Sequence, residues 1–333
     1  FRDKYVTGQM IGTGRYKFVE YIVGDRFVVE ANPDYWGSKP ATQRIVFQVI
    51  PDAATRVAAL QSGEVDIIVN LPVPLIPAVE KDPNLKVYSK LGSTVHHIFP
   101  NSNQVEVLKD RRVRQALNHA VDREAILKNL YGGYGKPLTT VVARQVTNAI
   151  DAGVYSYDPE KAKKLLAEAG YPNGIEITLY QAIGRWSQAI EAAQLIAGYF
   201  DKIGVKTSLK TLEFSEYNMR AGRTLHKDAF YYAFTNLLWD PSYLTQRFLP
   251  TYVRYRYYDA KGELLNLIAQ HEEAFDAAER KELAAKVQKG LRDEAVWVFL
   301  WQLDEIFGLR KNVKGFKMRA DHEIWFADTY VEQ

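Results

Sequence analysis

Apolar and polar residues alternate along this chain with two different periods, and the places where the period changes predict its elements. Residues 16–21 and 25–30 read as two short strands with Gly24-Asp25 at the turn, for which a hairpin is the simplest arrangement. A turn cluster follows at Asn32-Pro33-Asp34-Tyr35-Trp36-Gly37, and residues 44–50 alternate again with Ile45, Phe47 and Val49 on one face. Asp52 stands where it can cap a helix running through Gln61 and stopped by Gly63, and residues 65–69 predict a buried strand.

From Asp110 the period lengthens. Val113, Ala116, Leu117 and Ala120 fall at helical spacing, and Asp122 can cap a second helix that ends at Gly132-Gly133. Asp158-Pro159 supplies an N-cap and a first-turn proline for another helix, with Leu165, Leu166 and Ala169 inward and Gly170 as its stop. Next comes a strand on Ile175, Ile177 and Leu179, then a helix with the stripe Ala192, Leu195, Ile196, Tyr199, Phe200 and Ile203. A strand on Val205, Thr207, Leu209 and Thr211, a short helix over 215–222 and an apolar strand over 229–236 complete a βαβαβ order, which predicts an α/β layer with a parallel sheet. One helical tract is expected over 263–293, with Leu283, Val287 and Leu291 on one face, and a last buried strand over 295–301. No internal repeat, low-complexity tract or flexible linker interrupts this order.

Composition narrows the function classes. At 333 residues the chain can form about two domains, and 47% hydrophobic with 25% charged residues is the balance of a folded chain, not a disordered one. The 43 basic and 40 acidic side chains leave a net charge of +3 with no long run of either sign, so no electrostatic footprint for nucleic acid is present. No apolar run reaches the length of a membrane span, so this segment is expected not to insert in a membrane. The absence of cysteine excludes disulfides, thiolate metal sites and cysteine nucleophiles. The chain starts at Phe1 with neither an initiator Met nor an apolar leader, and is expected to be a fragment of a longer protein.

Few residues point to chemistry. Gly12-Thr13-Gly14 reads as a tight turn, because Arg15, Tyr16 and Lys17 stand where a dinucleotide loop needs its third glycine. Gly132-Gly133-Tyr134-Gly135-Lys136-Pro137 lacks the Ser/Thr that would hold magnesium in a phosphate loop. The histidines His96, His97, His119, His226, His271 and His322 show no metal-ligand spacing, no serine sits in a nucleophile elbow, and neither a metal nor another cofactor is expected. The informative stretch is residues 230–243, a strand that delivers aromatic residues into a loop holding an amide and a carboxylate. Asn236, Trp239 and Asp240 are candidate ligand contacts there, although core packing explains the aromatics within the strand equally well.

Several segments, in order, resemble one family. Gly12-Thr13-Gly14-Arg15-Tyr16-Lys17-Phe18 is similar to its GTGPYKF segment, with Arg15 where proline is usual. Asn32-Pro33-Asp34-Tyr35-Trp36-Gly37, Pro51-Asp52-Ala53-Ala54-Thr55-Arg56 and Leu60-Gln61-Ser62-Gly63-Glu64-Val65-Asp66 match further segments. So do Arg112-Val113-Arg114-Gln115-Ala116-Leu117-Asn118 with Val121-Asp122-Arg123, Tyr157-Asp158-Pro159, Lys164-Leu165-Leu166-Ala167-Glu168-Ala169-Gly170-Tyr171 and Lys311-Asn312-Val313-Lys314-Gly315-Phe316. The chain thereby resembles the family 5 extracellular solute-binding proteins, the dipeptide, oligopeptide and nickel binders of ABC transporters, over their C-terminal two-thirds.

That resemblance implies an α/β, two-lobed periplasmic-binding-protein fold, type II-like, with the first lobe incomplete. Residues 1–92 plus 305–333 would form lobe I and 93–304 a complete lobe II, with hinge crossings near 92–101 and 301–307. It implies a carrier, not an enzyme, that captures a peptide-like or other small polar solute between its lobes and delivers it to a membrane permease. Such proteins are periplasmic or otherwise extracytoplasmic, some of them lipid-anchored. The alternatives are nickel-chelate, haem or oligosaccharide/glycoconjugate uptake; a hydrolase is disfavoured, and an interaction module of the chemoreceptor or chaperone kind is a third class. In peptide-binding relatives an aspartate of the 230–243 loop pairs with the ligand's ammonium; here that position is Leu237, which tilts the reading toward a non-standard ligand. Arg185 is the nearest candidate for the relatives' carboxylate-binding arginine, Trp186 and Trp301 are candidate stacking faces, and His97 is the candidate imidazole from the hinge.

Overall fold

The computed structural model describes residues 12–319 and 323–332; His322 lies outside them. The chain divides into two compact units, one made of Leu91–Asp304 and the other of the segments up to Lys90 and from Glu305.

In the second of these, β1 (Tyr16–Ile22), β2 (Arg26–Ala31) and β3 (Arg44–Gln48) form an antiparallel sheet in that order, and the expected hairpin pairs Tyr16 with Ala31 through Ile22 with Arg26. The helix Ala53–Ser62 is framed as its sequence predicts: the Asp52 carboxylate accepts the Thr55 N–H at 2.8 Å, and Gly63 leaves at φ +80°. The strand expected over 65–69 shrinks to β4 (Ile67–Ile68), because the Val65 N–H is spent on Ala59 O and Val69 is exposed.

Leu91–Asp304 carries the larger sheet. It uses most of β5 (Leu85–Pro100), then β6 (Gly135–Pro137), β7 (Ile175–Ile183), β8 (Val205–Glu213), β9 (Ala229–Thr235) and the start of β10 (Val298–Arg310). The order is β10-β5-β9-β7-β8, with β6 on β10. β7 lies parallel to both β8 and β9, as the βαβαβ order predicts, but β5 runs antiparallel to β9 from Thr94↔Thr235 to Pro100↔Ala229, so the sheet is mixed, not parallel. Ser89, Lys90, Gly92 and Ser93 interrupt the apolar pattern of β5 and hide it from a periodicity reading.

Both faces of this sheet are covered. Phe230, Tyr232 and Phe234 enter one core with Phe99, Trp297 and Phe299, while Ala229 and Tyr231 enter the other with Ile98, Leu179 and Leu300. That two-sided burial is why β9 reads as a continuous apolar run. Three further expectations change. The 263–293 tract is two helices, Gly262–Glu273 and Ala277–Asp293, because the Asp276 carboxylate accepts the N–H groups of Ala278 (3.0 Å) and Glu279 (2.9 Å) and starts a new helix beyond an exposed Phe275. Leu195 faces solvent instead of the core. β10 starts at Val298, after a left-handed turn at Ala295 (φ +47°), and continues past residue 301 to Arg310.

Two buried guanidinium groups lace the helices Arg111–Ala120 and Arg123–Asn129 to β10 and the turn before it. Arg114 donates to the carbonyls of Leu108 (2.9 Å), Lys109 (2.7 Å), Glu294 (2.8 Å) and Ala295 (3.2 Å). Arg123 donates to the carbonyls of Phe299, Asn118 (2.9 Å) and Val121 (3.1 Å). Between them, Asn118 Oδ1 accepts the Phe299 N–H at 3.0 Å and its Nδ2 donates to Trp297 O at 2.9 Å.

At the start of the parallel pair, Gly174 has φ +85°, and a Cβ there would lie 1.9 Å from Gly204 O, the acceptor of the Ile175 N–H. Gly174→Ala should therefore lower the unfolding free energy by roughly 2–4 kcal/mol, combining overpacking with a left-handed backbone penalty. Urea denaturation would check this, and an unchanged midpoint would mean that the β7–β8 start is not held as described.

Candidate functional site

Because β7 and β9 are parallel and adjacent, with Leu179 opposite Ala229, the loops after their C-terminal ends emerge at one edge of the sheet, where α/β proteins place ligand loops. Gly184 (φ +71°) turns the chain out of β7 into exposed Arg185 and half-buried Trp186. The Trp186 ring meets Tyr232 at 5.1 Å and Tyr231 at 5.9 Å between centroids, and the Arg185 guanidinium stands 5.4 Å above Phe214. Tyr232 and Tyr255 lie 5.4 Å apart, and both hydroxyls donate to Asn218 Oδ1, at 2.6 and 2.9 Å. Burial and the neighbouring Tyr255 raise the Tyr232 hydroxyl above its ordinary pKa, opposed by Arg185 and Arg247, so it stays a neutral donor. Trp186, Tyr232 and Tyr255 make an aromatic shelf with cations on its flanks.

Arg247, on the turn after Asp240-Pro241, is 5% exposed. Its guanidinium carbon stands 4.1 Å from the Phe234 centroid and 5.3, 5.1 and 5.5 Å from those of Tyr243, Tyr252 and Tyr255. Nη1 donates to the Tyr252 hydroxyl at 2.8 Å, Nε has no partner, and no carboxylate pairs with it among the described residues.

The residues picked from sequence separate into three groups. Arg185 and Trp186 belong to the shelf. Asn236, Trp239 and Asp240 shape the loop after β9: Asn236 is buried with its Nδ2 toward Asp240 O at 3.4 Å, Trp239 is half-buried at φ +54°, and the Asp240 carboxylate is gripped by Arg280 at 2.9 and 3.0 Å. The tip of that loop exposes Leu237 (62%) and Leu238 (65%). His97 and Trp301 are fully buried, His97 against Trp297 and Phe299, Trp301 against Tyr131. Sequence reasoning missed Asn218, Tyr255 and Arg247. The clustering of Tyr243, Tyr252 and Tyr255 around Arg247 is their one visible signal.

A sequence model of the bacterial extracellular solute-binding proteins, family 5 Middle, matches residues 1–255. Heme-binding protein A of Haemophilus influenzae is 38% identical over 218 residues, 63% of this chain and 39% of that protein. Glutathione-binding protein GsiB of Escherichia coli is 27% identical over 333 residues, covering 97% of this chain and 64% of its own length. The chain thus spans less than two-thirds of these relatives. Among solved structures, the periplasmic binding protein DppA of Helicobacter pylori in complex with the peptide STSA superposes with a TM-score of 0.81 at 25% identity, covering 97% of this chain and 63% of that one. The two-lobed periplasmic-binding-protein architecture implied by the motifs is therefore the fold of its structural neighbours.

Around Asp240 the loop is held by a half-buried ionic cluster whose pH response follows from its geometry. Burial opposes ionisation of Asp240, but the Arg280 hydrogen bonds and the Ser242 N–H prevail and bring its pKa down to about 2. Burial pushes Glu272, which lies 3.5 Å from the Thr245 hydroxyl, up to about 7. Asp240 therefore contributes stability above its unfolded pKa of about 3.9 that is lost as pH falls toward 2, whereas the contribution of Glu272 is full below about 4.3 and lost as pH rises through 7. Glu272→Gln should match the parent at pH 4 and exceed it at pH 8 by about 1–2 kcal/mol, allowing for partial exposure. Denaturant melts at the two pH values decide; a variant weaker at pH 8 would contradict the assignment.

Proposed function

We propose that this chain, which belongs to the bacterial extracellular solute-binding proteins of family 5, is the substrate-binding component of an ABC importer, or the larger part of one. On this reading it captures a peptide-like or other small polar solute outside the cytoplasm and delivers it to a membrane permease. Members of the family bind solutes and are not enzymes, and no described helix is long and apolar enough to cross a membrane. The two compact units are read as the two lobes, with residues near 92–101 and 301–307 as the hinge crossings.

The observation that carries the proposal is the shelf of Trp186, Tyr232 and Tyr255 beside the edge where β7 and β9 end, flanked by two arginines that have no carboxylate partner among the described residues. Half-buried Trp186 and Tyr255, packed on the buried Tyr232, offer apolar ring surface beside a few directional polar groups, a mixture that suits a small ligand. Haem is a second reading. A relative named for it is 38% identical over 218 residues, and a flat ring system carrying carboxylates fits a shelf with two cations.

Native mass spectrometry of the gently purified chain should show one small molecule per protein, released on denaturation. Trp186→Ala should weaken its rebinding at least tenfold, about 1.4 kcal/mol. An undiminished affinity in that variant, or a chain that binds no solute in a broad screen, would defeat the reading.

A further inference from the structure

Between β6 and the helix Pro159–Glu168, residues 138–158 form neither helix nor strand, yet Leu138, Val141, Val142, Ala143 and Val146 are buried in a core of the unit Leu91–Asp304. An irregular segment of this length inside a compact unit usually has a task of its own. Its polar contacts lead to the strands that cross between the units. Gln145 Nε2 donates to Leu91 O at 3.0 Å and to Gly92 O at 2.8 Å, and its Oε1 accepts from Gln302 Nε2. Gln302 is fully buried; it also donates to Gly92 O, and it accepts the Arg144 N–H at 3.1 Å. The two side-chain amides thus fill each other and the main chain, and they tie β5 at Leu91-Gly92 to β10 at Gln302. These are the strands by which the chain enters the unit at Leu91 and leaves it at Asp304.

Two residues beyond Gln145, the Thr147 N–H donates to Trp239 O at 3.2 Å, in the loop after β9. A left-handed residue stands on each side of that bond, Trp239 itself at φ +54° and Asn148 at φ +62°. For a tryptophan this backbone conformation is sparsely populated and strained. The outer ends are fixed on one helix, Ala277–Asp293, where Gln288 donates to Asn148 O at 2.8 Å and Arg280 grips Asp240. Resting on the solute-binding reading, we propose that residues 144–148 are a strap that couples the loop after β9 to the hinge, with Gln145 as its positioning residue. The glutamine pair holds both crossing strands together, so bending between the units is confined to residues beyond Gly92 and Gln302. A solute that settles the loop in one conformation fixes Trp239 O, and through Thr147 and Gln145 it fixes the crossings as well. The strained loop backbone supplies the second state that such coupling requires.

The chain has no cysteine, so Val23→Cys and Phe275→Cys, 79% and 100% exposed and one in each unit, can carry a pair of nitroxide labels. Pulsed electron paramagnetic resonance distances in the labelled chain, and amide hydrogen exchange in the unlabelled one, are compared for the parent, Gln145→Met and Gln302→Met. Methionine keeps the volume and removes the bonds; Gln145 is only half-buried, so its variant carries the test if that of Gln302 does not fold. Each variant should broaden the distance distribution about twofold. Exchange should quicken roughly tenfold or more at residues 88–93 and 236–240 together, and stay unchanged in the helix Ala189–Asp201. A lower melting temperature with the parent's distance distribution would make the pair ordinary packing and overturn the proposal. Exchange that quickens at 88–93 alone would cut the loop from the hinge and overturn it as well. Bound solute is scored separately by native mass spectrometry: a solute-bearing chain whose variants keep the parent's distances loses only the strap, whereas a chain that holds no solute but broadens keeps the mechanical link and loses the carrier reading.

Discussion

The larger unit depends on the way two buried positive charges are satisfied by main-chain oxygen. Arg114 and Arg123 reach from consecutive helices to carbonyls of the turn at Glu294-Ala295 and of β10 at Phe299, with Asn118 bonded both to the strand and to Arg123. Losing any one acceptor would leave a buried guanidinium N–H unbonded, at a cost of about 1–3 kcal/mol. The helices and the strand are therefore fixed in one register. β10 in turn holds β5, β5 holds β9, and β9 presents its aromatic side chains to both cores.

Much of this was legible in the sequence, and for identifiable reasons. Caps such as Asp52 and Asp158 act within one helical turn, so a reader of the sequence sees cause and effect together. The βαβαβ segment was legible because its strands and helices alternate without interruption. β5 was not, since its polar interruptions are tolerated only by neighbours distant in sequence, and neither was the break at Asp276, where one carboxylate starts a helix inside a tract with uniform helical propensity. The motif Arg112-Val113-Arg114-Gln115-Ala116-Leu117-Asn118 pointed to the family, but the work of Arg114 and Asn118 appears only when β10 is in place.

The site was less legible than the fold. Aspartate before proline and tryptophan beside it suggested ligand contact, yet Asp240 answers to Arg280, forty residues on, which periodicity cannot reveal. Trp301 and His97 show the same limit from the other side: a large aromatic or an imidazole on a buried strand looks identical in sequence to one that faces a ligand. Arg185 was picked from the resemblance and Trp186 as a stacking face, and both stand in the loop that Gly184 starts after β7. Asn218, Tyr255 and Arg247 come from three separate elements and meet only in space.

The contrast among the buried arginines also bears on how such a site can be tolerated. An aromatic cage fixes a guanidinium without neutralising it. The same arrangement leaves the free protein less stable than it would be with an apolar residue at that position. Marginal stability permits such a feature only where the surrounding frame is secure. Here the frame is the carbonyl-saturated pair Arg114 and Arg123, which lies in the same unit and holds the strands on which the shelf is built.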